Sequence, residues 1–233
     1  MPPSLLSTRH NRILAALPAA EHARLRTHLE LVDLPRGWML CEAGAAFEWL
    51  YFPITGIVSL LHVMADGTAA EAAITGNDGM VGISLLMGGG TSPCRAIVEQ
   101  AGQAYRIRAK PLRLHLTADD KLQHLAQQYV QSLLAQMAQT IVCNRHHSLE
   151  QQLCRWLLLR LDLLCGNALM MTQEQIAHTL GVRREGVTEA AGRLQARGLI
   201  QYNRGHITLL DRRGLEASAC ECHTSTCADS RPA

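Results

Sequence analysis

Aromatic residues and lysine are both scarce in this 233-residue chain, and no long uninterrupted apolar run is present. Phe, Trp and Tyr together make up 4% of the residues, and Lys110 and Lys121 are the only lysines, so arginine carries nearly all the positive charge. The apolar run 156–164 is interrupted by Arg160 and Asp162, which excludes a membrane-spanning helix there. We therefore expect a cytoplasmic protein without a membrane segment.

Net charge is also low, at +2. Any affinity for nucleic acid must therefore come from a local arginine patch rather than from the charge of the whole chain. Catalytic patterns are missing as well, because no glycine-rich phosphate loop lies between a strand and a helix. No Ser, Cys or pair of carboxylates stands with a suitable partner. The sequence therefore predicts that the protein is not an enzyme.

Residues 172–210 carry the strongest local pattern. Thr172 and Gln175 form a capping box, in which each side chain bonds a free main-chain N–H at a helix start. Gly181 then lies where that helix must end and the chain must bend, a position that favours glycine. A second helix follows, and then a hairpin whose turn lies at residues 203–205. This order predicts a winged helix-turn-helix, in which the second helix enters the DNA major groove.

The second helix has two distinct faces. Helical spacing predicts a buried stripe of Val187, Ala190, Ala191 and Leu194. The same spacing leaves polar side chains on the solvent side, where base edges would be met: Arg183, Arg184, Glu185, Thr188 and Glu189. A small three-helix unit with a charged, solvated face is the alternative interpretation of this segment.

Residues 31–107 show short apolar segments separated by glycines, which predicts β-structure. Asp66-Gly67 between two apolar segments is a hairpin signal. A long helical stretch follows, with apolar residues at steps of three and four. Its length predicts a dimer interface, with packing on the β-domain as the alternative, and the interface comprises Leu122, Leu125, Tyr129, Val130, Leu133, Met137 and Ile141.

This order of parts resembles the Crp/Fnr family of bacterial transcription regulators. The resemblance lies in Gly37 and Gly44, in residues 50–58, in residues 76–82 and in residues 172–210. It implies an α+β fold with a jelly-roll-like β-roll sensor domain at 1–116 and a central dimerisation helix and hinge at 117–147. A winged helix-turn-helix at 148–217 and a disordered tail at 218–233 complete the expected organisation.

The resemblance also implies function. It indicates a homodimer whose recognition helices meet successive major grooves roughly 34 Å apart on a pseudo-palindromic operator. Its partners would be double-stranded DNA and RNA polymerase. The family commonly has an Arg-Glu pair at the helix start, matched by Arg184 and Glu185, and a later arginine that Glu189 replaces. The predicted DNA-binding residues are Thr172, Arg183, Arg184, Glu185, Thr188, Glu189, Arg193, Arg204 and His206, with Arg197 as a further phosphate contact.

The effector pocket departs from the nucleotide-binding members of the family. Those members need a glutamate after the glycine of the third turn, where this chain has Ile83 after Gly82. They also need an Arg-Ser or Arg-Thr pair. The corresponding positions here hold Ser92-Pro93, or Cys94-Arg95 if the alignment is shifted by two residues. We expect a regulator that cAMP does not control, with an effector pocket at Gly82, Ile83, Ser92, Cys94, Arg95 and Tyr129. The alternative is an effector-binding or protein-interaction module with a vestigial DNA-binding domain.

Eight cysteines are scattered along the chain. Buried thiols are usual in a cytoplasmic protein, and we take that as the favoured interpretation. The tail nevertheless contains a group of soft ligands that a metal could use, although its Cys-x-Cys spacing is tighter than that of usual zinc sites. That group consists of Cys220, Cys222, His223 and Cys227.

Overall fold

The computed structural model describes residues 7–115, 120–164 and 166–223. The first part of the chain contains two short helices and seven strands. These elements are α1 (Arg12–Ala15), α2 (Ala19–Arg26), β1 (Glu30–Leu34), β2 (Met39–Cys41), β3 (Trp49–Pro53), β4 (Ile57–Val63), β5 (Ala69–Thr75), β6 (Arg95–Gln100) and β7 (Gly102–Arg108). Helix α3 (Ala109–His115) follows β7, and the predicted β-domain is therefore confirmed.

The seven strands form two sheets, in the orders β1-β7-β3 and β2-β6-β4-β5. In the first sheet β7 pairs antiparallel with both neighbours, so that Arg106 lies opposite Glu30 on β1 and Tyr51 on β3. Strand β3 is buried along most of its length, as its apolar run Trp49-Leu-Tyr-Phe-Pro53 indicates. The predicted turn at Asp66-Gly67 joins β4 to β5, with Gly67 at φ 86°.

The long helix α4 (Lys121–His146) contains 26 residues, and α5 (Leu149–Leu163) begins after the capping box of Ser148 and Gln151. The last part of the chain contains β8 (Ala168–Met170), α6 (Gln173–Leu180), α7 (Arg184–Ala196), β9 (Ile200–Asn203), β10 (His206–Leu209) and α8 (Arg212–Ser218). Strands β8, β10 and β9 form a third sheet in that order. Helix-turn-helix and wing are therefore both present, as predicted.

The chain divides into two compact units. One comprises residues 1–60 and 74–131, and the other comprises residues 61–73 and 132–233. The turn between β4 and β5 thus groups with the second unit, and the division along the chain falls inside α4. No helix in the described ranges is both long and apolar enough to cross a membrane.

Residues 218–223 lie at the end of this second unit, within the tail that the sequence predicted to be disordered. That prediction needs correction, because Cys220 and Cys222 are buried and group with Cys143 of α4. Burial of thiols against another element orders a segment that has little apolar character of its own. Residues 224–233, the remainder of the predicted tail, lie outside the described residues.

Candidate nucleic-acid interface

Local interactions position the helix-turn-helix. The Thr172 hydroxyl oxygen accepts a hydrogen bond from the Gln175 main-chain N–H at 3.2 Å, and Gln175 Oε1 accepts one from the Thr172 N–H at 3.0 Å. Helix α6 ends at Gly181, which has φ 68° and ψ 34°, the left-handed conformation that glycine adopts without strain. The predicted capping box and glycine turn are both confirmed.

One face of α7 belongs to the core of the second unit. Val187, Ala190, Ala191 and Leu194 are buried, and they share a cluster with Ile176 and Ala177 of α6. The β-sheet contributes Leu169, Ile200 and Ile207 to the same cluster. This packing fixes the rotation of α7 about its axis and therefore decides which side chains face solvent.

The opposite face of α7 is polar and exposed. Arg183, Arg184, Glu185, Thr188 and Glu189 all lie on this side, as the helical spacing predicted. Arg183 is the N-cap residue and makes no side-chain cap, so its side chain leaves the first-turn N–H groups of α7 uncapped. A helix N-terminus with free N–H groups attracts anions such as phosphate.

An open groove runs along this polar face. It is bordered by the start of α6, by α7 and by the β9–β10 turn, and it is lined by Thr172, Gln173, Glu174, Arg184, Thr188, Ala191, Gly192, Gln195, Tyr202, Arg204 and Gly205. Arg184 and Arg204 supply its positive charge, and Glu174 lies 3.9 Å from Arg184. Thr188 donates to Gln173 Oε1 at 2.7 Å, which ties α7 to α6 at the groove floor.

The wing carries the second arginine of the groove. Arg204 and Gly205 form a two-residue turn with φ values of 49° and 84°, and Asn203 pairs with His206 across it. Two positive φ angles in succession are typical of a type I′ turn, whose twist matches that of a hairpin. The turn leaves the Arg204 and His206 side chains exposed.

Tyr202 connects the wing to α7 and to the segment just before α6. Its hydroxyl donates to the Met171 carbonyl at 2.8 Å, and its main-chain N–H donates to Gln195 Oε1 at 2.7 Å. Burial raises the pKa of Tyr202 to about 12, so the phenol remains protonated and able to donate. Sequence reasoning missed Gln173, Gln195 and Tyr202, which line the groove from α6, α7 and β9.

Two arginines of α7 are engaged within the chain. Arg193 binds Glu150 of α5 at 2.7 Å, and Arg197 binds the other oxygen of the same carboxylate at 2.9 Å. Arg193 also lies 4.0 Å from Glu189, one turn earlier on α7. Glu150 therefore neutralises much of the charge that Arg193 and Arg197 would offer to phosphate.

Two family models match the chain. A cyclic nucleotide-binding domain matches residues 31–117, and a Crp-like helix-turn-helix domain matches residues 151–218. The two domains follow each other in the order that the sequence indicated, and together they span most of the chain. The chain belongs to the Crp/Fnr family.

Solved structures share this Crp/Fnr fold. A protein from Eubacterium rectale assigned to the crp/fnr family of transcriptional regulators aligns with a TM-score of 0.70 at 18% identity, covering 93% of this chain and 99% of that chain. A CRP/FNR family regulator from Thermus thermophilus aligns with a TM-score of 0.66 at 23% identity, covering 82% of this chain and 98% of that chain. FixK2 from Bradyrhizobium japonicum aligns with a TM-score of 0.68 at 16% identity, covering 82% of this chain and 98% of that chain. Curated protein sequences gave no significant match.

Ser92 and Arg95, at positions that correspond to the family's nucleotide site, make contacts within this chain. Gly82 has φ 100° and precedes the short 3-10 helix Ile83–Leu85. Ser92 is buried, and its hydroxyl donates to the Cys94 carbonyl at 2.6 Å. Arg95 binds Glu42 at 2.8 Å, and this contact, with a second at 3.1 Å, engages the guanidinium that a cyclic phosphate would require.

Tyr129 lies in the interior of the first unit. It is buried, and its hydroxyl shares a 2.7 Å hydrogen bond with Thr75. Burial is the main reason that the pKa of Tyr129 is raised, and the nearby Asp78 carboxylate adds to this shift. The Tyr129 ring occupies the space beside Gly79, where an added Cβ would overlap the ring carbons.

The predicted dimer seam on α4 requires a correction. Leu122, Leu125, Tyr129 and Leu133 are buried within the single chain, so these four pack in its own interior. They are therefore core residues and cannot form the surface that a second copy would contact. Sequence spacing identifies an apolar stripe but not its partner, because a coiled-coil seam and a core-facing stripe have nearly the same period.

Leu134 is an exposed apolar residue that sequence reasoning missed. It is 61% exposed and lies between two predicted seam residues, Val130 and Met137, while Ile141 is 71% exposed. The four residues follow each other at steps of four, three and four, so the signal was present in the spacing. We call Val130, Leu134, Met137 and Ile141 the outer stripe of α4.

The predicted soft-ligand group also changes membership. Cys220 and Cys222 lie beside Cys143 and His147, with their possible ligand atoms within 4.8 Å of one another. His223 is buried but is not part of that group, and Cys227 lies outside the described residues. Contacts between the ends of a folded unit, rather than neighbours along the tail, therefore decide which cysteines meet.

Proposed function

We propose that this Crp/Fnr protein is a cytoplasmic, homodimeric transcription regulator that reads a pseudo-palindromic operator through α7. The observation that carries the proposal is the exposed group Arg183, Arg184 and Glu185 at the start of α7, beside the groove that Arg204 borders. A helix of this kind enters the major groove with its first turn against the base edges. RNA polymerase is its proposed protein partner, and no catalytic role is proposed.

Arg184 and Glu185 are the proposed base-reading residues. An arginine can donate two hydrogen bonds to guanine O6 and N7, and a glutamate can accept one from cytosine N4. Glu189 occupies the position where the family commonly has an arginine, and a carboxylate there repels phosphate and rejects a guanine acceptor edge. We therefore expect an operator that differs from the one common in the family.

Other groups near the groove would orient the protein on the phosphate backbone. Arg183, Arg204 and His206 are exposed, and Thr172 and Thr188 line the groove. Contacts of this type supply affinity without sequence information. Arg193 and Arg197 are weaker candidates, because both bind Glu150.

Dimerisation would use the outer stripe of α4. Leu134 and Ile141 are large apolar side chains that the single chain leaves exposed, which is uncommon along one face of a helix. Their four-three-four spacing, together with Val130 and Met137, is the pattern of a two-helix seam. A twofold axis along this seam would place two copies of α7 for two operator half-sites.

Control by cAMP is not part of the proposal. Ile83 cannot accept a ribose hydrogen bond, Ser92 cannot neutralise a phosphate, and Arg95 is paired with Glu42. A cyclic nucleotide that bound Arg95 would have to displace Glu42, and its own contacts would have to offset the free energy lost with that ion pair. We expect DNA binding to be unchanged by added cAMP.

Selection from random double-stranded DNA tests the function directly. The purified full chain should enrich a palindromic motif, and a labelled duplex of that motif should shift at modest salt with the protein as a dimer. The same titration with cAMP should give the same affinity. If no motif is enriched although the protein sediments as a dimer, the proposal is wrong. The alternative, an effector-binding or protein-interaction module with a vestigial DNA-binding domain, then replaces it.

A further inference from the structure

Four soft-ligand side chains from distant parts of the chain meet in the second unit. Cys143 lies near the end of α4, His147 lies between α4 and α5, and Cys220 and Cys222 follow α8. The three thiols are buried and His147 is mostly shielded from solvent. All four possible ligand atoms lie within 4.8 Å of one another.

Two of the six distances between these ligand atoms match edges of a coordination tetrahedron, and the other four are no longer than 4.8 Å. Cys143 Sγ lies 3.6 Å from Cys220 Sγ, and Cys222 Sγ lies 3.5 Å from His147 Nδ1. A zinc ion with bonds of about 2.3 Å to sulfur and about 2.0–2.1 Å to nitrogen holds its ligands about 3.8 Å apart for two sulfurs and about 3.6 Å apart for sulfur and nitrogen. Three thiols and one imidazole at these spacings are a closed set of structural zinc ligands.

The orientation of His147 provides a second, independent observation. Its Nδ1 faces the Cys222 sulfur, and its Nε2 lies 3.4 Å from the Glu221 carboxylate. A histidine that binds a metal through one ring nitrogen usually donates from the other to a carboxylate or a carbonyl, which fixes the ring and its tautomer. His147 is therefore arranged as such ligands are.

Electrostatics agree with a cation at this position. Packing three thiols together gains little by itself, because S–H groups are weak hydrogen-bond donors. A divalent cation changes this, because it deprotonates coordinating thiols.

We propose that Cys143, His147, Cys220 and Cys222 bind one Zn²⁺ ion. Binding converts three thiols to thiolates, releases three protons to solvent and uses the neutral imidazole, with no change in oxidation state. The proposal is independent of DNA binding. Its structural consequence is a clamp between the segment after α8 and the end of α4, across a sequence separation of 77 residues between Cys143 and Cys220. Metal binding of this kind contributes directly to folding.

Metal analysis of the full chain, purified without a histidine tag, tests the site. We expect one zinc ion per chain, and we expect Co²⁺ in its place to give thiolate charge-transfer absorption and the visible bands of tetrahedral cobalt. Cys220→Ser and Cys222→Ser should each lose stoichiometric zinc. Cys154→Ala is the matched control, because Cys154 is a buried thiol of the same unit outside the four-residue group.

Glu221→Gln extends the test to a variant that leaves all four ligands intact. Glu221 is largely exposed, so we expect the substitution to preserve folding. Removing a carboxylate partner of a ligating histidine lowers metal affinity by about 10- to 100-fold, and we expect the lower end here. Glu221→Asp, which keeps the carboxylate, should recover part of the affinity in a chelator competition.

Three outcomes would overturn the proposal. The first is folded protein that takes up no Zn²⁺ or Co²⁺ after full reduction, including protein that is isolated with a Cys143–Cys220 disulfide and then reduced. The second is stoichiometric zinc retained by both serine variants. The third is an iron–sulfur chromophore in anaerobically prepared protein, which would assign the same thiols to a different group.

Discussion

Arg184 is the residue on which the proposed reading of DNA most depends. Its side chain is 65% exposed, and its nearest carboxylate, Glu174, is itself exposed and 3.9 Å away. Ion pairs of this kind between exposed groups contribute little, because water and salt screen them. Arg184 is therefore available for a base edge.

Arg184→Ala should weaken binding to the selected operator by about 1–3 kcal/mol and relax preference at one position in each half-site. Competition shifts with single-base operator variants measure both effects. Arg213→Ala is the control, because Arg213 is an exposed arginine on α8, away from the groove-lining residues. Equal weakening on every sequence would instead make Arg184 a phosphate contact.

Gly79 illustrates a residue whose identity depends on a distant neighbour. A Cβ there would overlap the Tyr129 ring, so Gly79→Ala should lower the free energy of unfolding by about 1–3 kcal/mol through overpacking. Gly90→Ala, where an added Cβ meets nothing within 4 Å, should be nearly neutral. Denaturant unfolding measures both variants. Combining Gly79→Ala with Tyr129→Leu should recover part of the loss, and strict additivity would contradict the steric explanation.

At the scale of elements, an ion pair joins Glu71 of β5 to Arg160 of α5 within the second unit. The Arg160 guanidinium is buried, lies 2.6 Å from the Glu71 carboxylate and stacks 3.7 Å from the centre of the Trp156 ring. Sequence reasoning treated Arg160 only as an interruption of an apolar run. The structure provides its reason, because a buried charge requires a partner of opposite sign.

Glu71→Ala should lower the free energy of unfolding of the second unit by about 3–5 kcal/mol, because the Arg160 charge loses its carboxylate partner while remaining buried. Thermal and urea unfolding measure the loss. Glu216→Ala is the control, because Glu216 pairs with the exposed Arg212 on the same helix and should cost less than about 1 kcal/mol. The double variant Arg160→Met/Glu71→Leu should be more stable than Glu71→Ala; if it is not, loss of the carboxylate beside a buried charge is not the cause.

At the scale of the whole molecule, assembly decides whether two copies of α7 can act together. The outer stripe of α4 offers two strongly exposed large side chains, Leu134 and Ile141. Isolated exposed apolar residues are ordinary on protein surfaces, but a periodic stripe is not.

Leu134→Lys should convert the proposed dimer to a monomer of 25.6 kDa, because twofold symmetry brings two charges into the same seam. Sedimentation equilibrium measures the mass, and operator affinity should fall with it. Leu114→Lys changes a leucine that is 82% exposed on α3 and should remain dimeric. A Leu134→Lys protein that stays dimeric would place the interface elsewhere.

Sequence alone determined the features that neighbouring residues create. The capping box of Thr172 and Gln175, the left-handed turn at Gly181 and the hairpin at Asp66-Gly67 all depend on contacts within a few residues, so their spacing was sufficient to predict them. The order of β-domain, long helix and winged helix-turn-helix followed from the same local patterns. The exposed face of α7 followed as well, because helical periodicity fixes it once the buried stripe is known.

Only the tertiary structure decided which distant residues meet. It buried Leu122, Leu125 and Leu133 within the single chain, although their spacing also suits a dimer seam. It paired Arg160 with Glu71 across 89 residues and brought Cys143 to Cys220 across 77. Periodicity identifies the face that a residue occupies, whereas the partner of that face depends on how the chain folds back, and this is not encoded in any short segment.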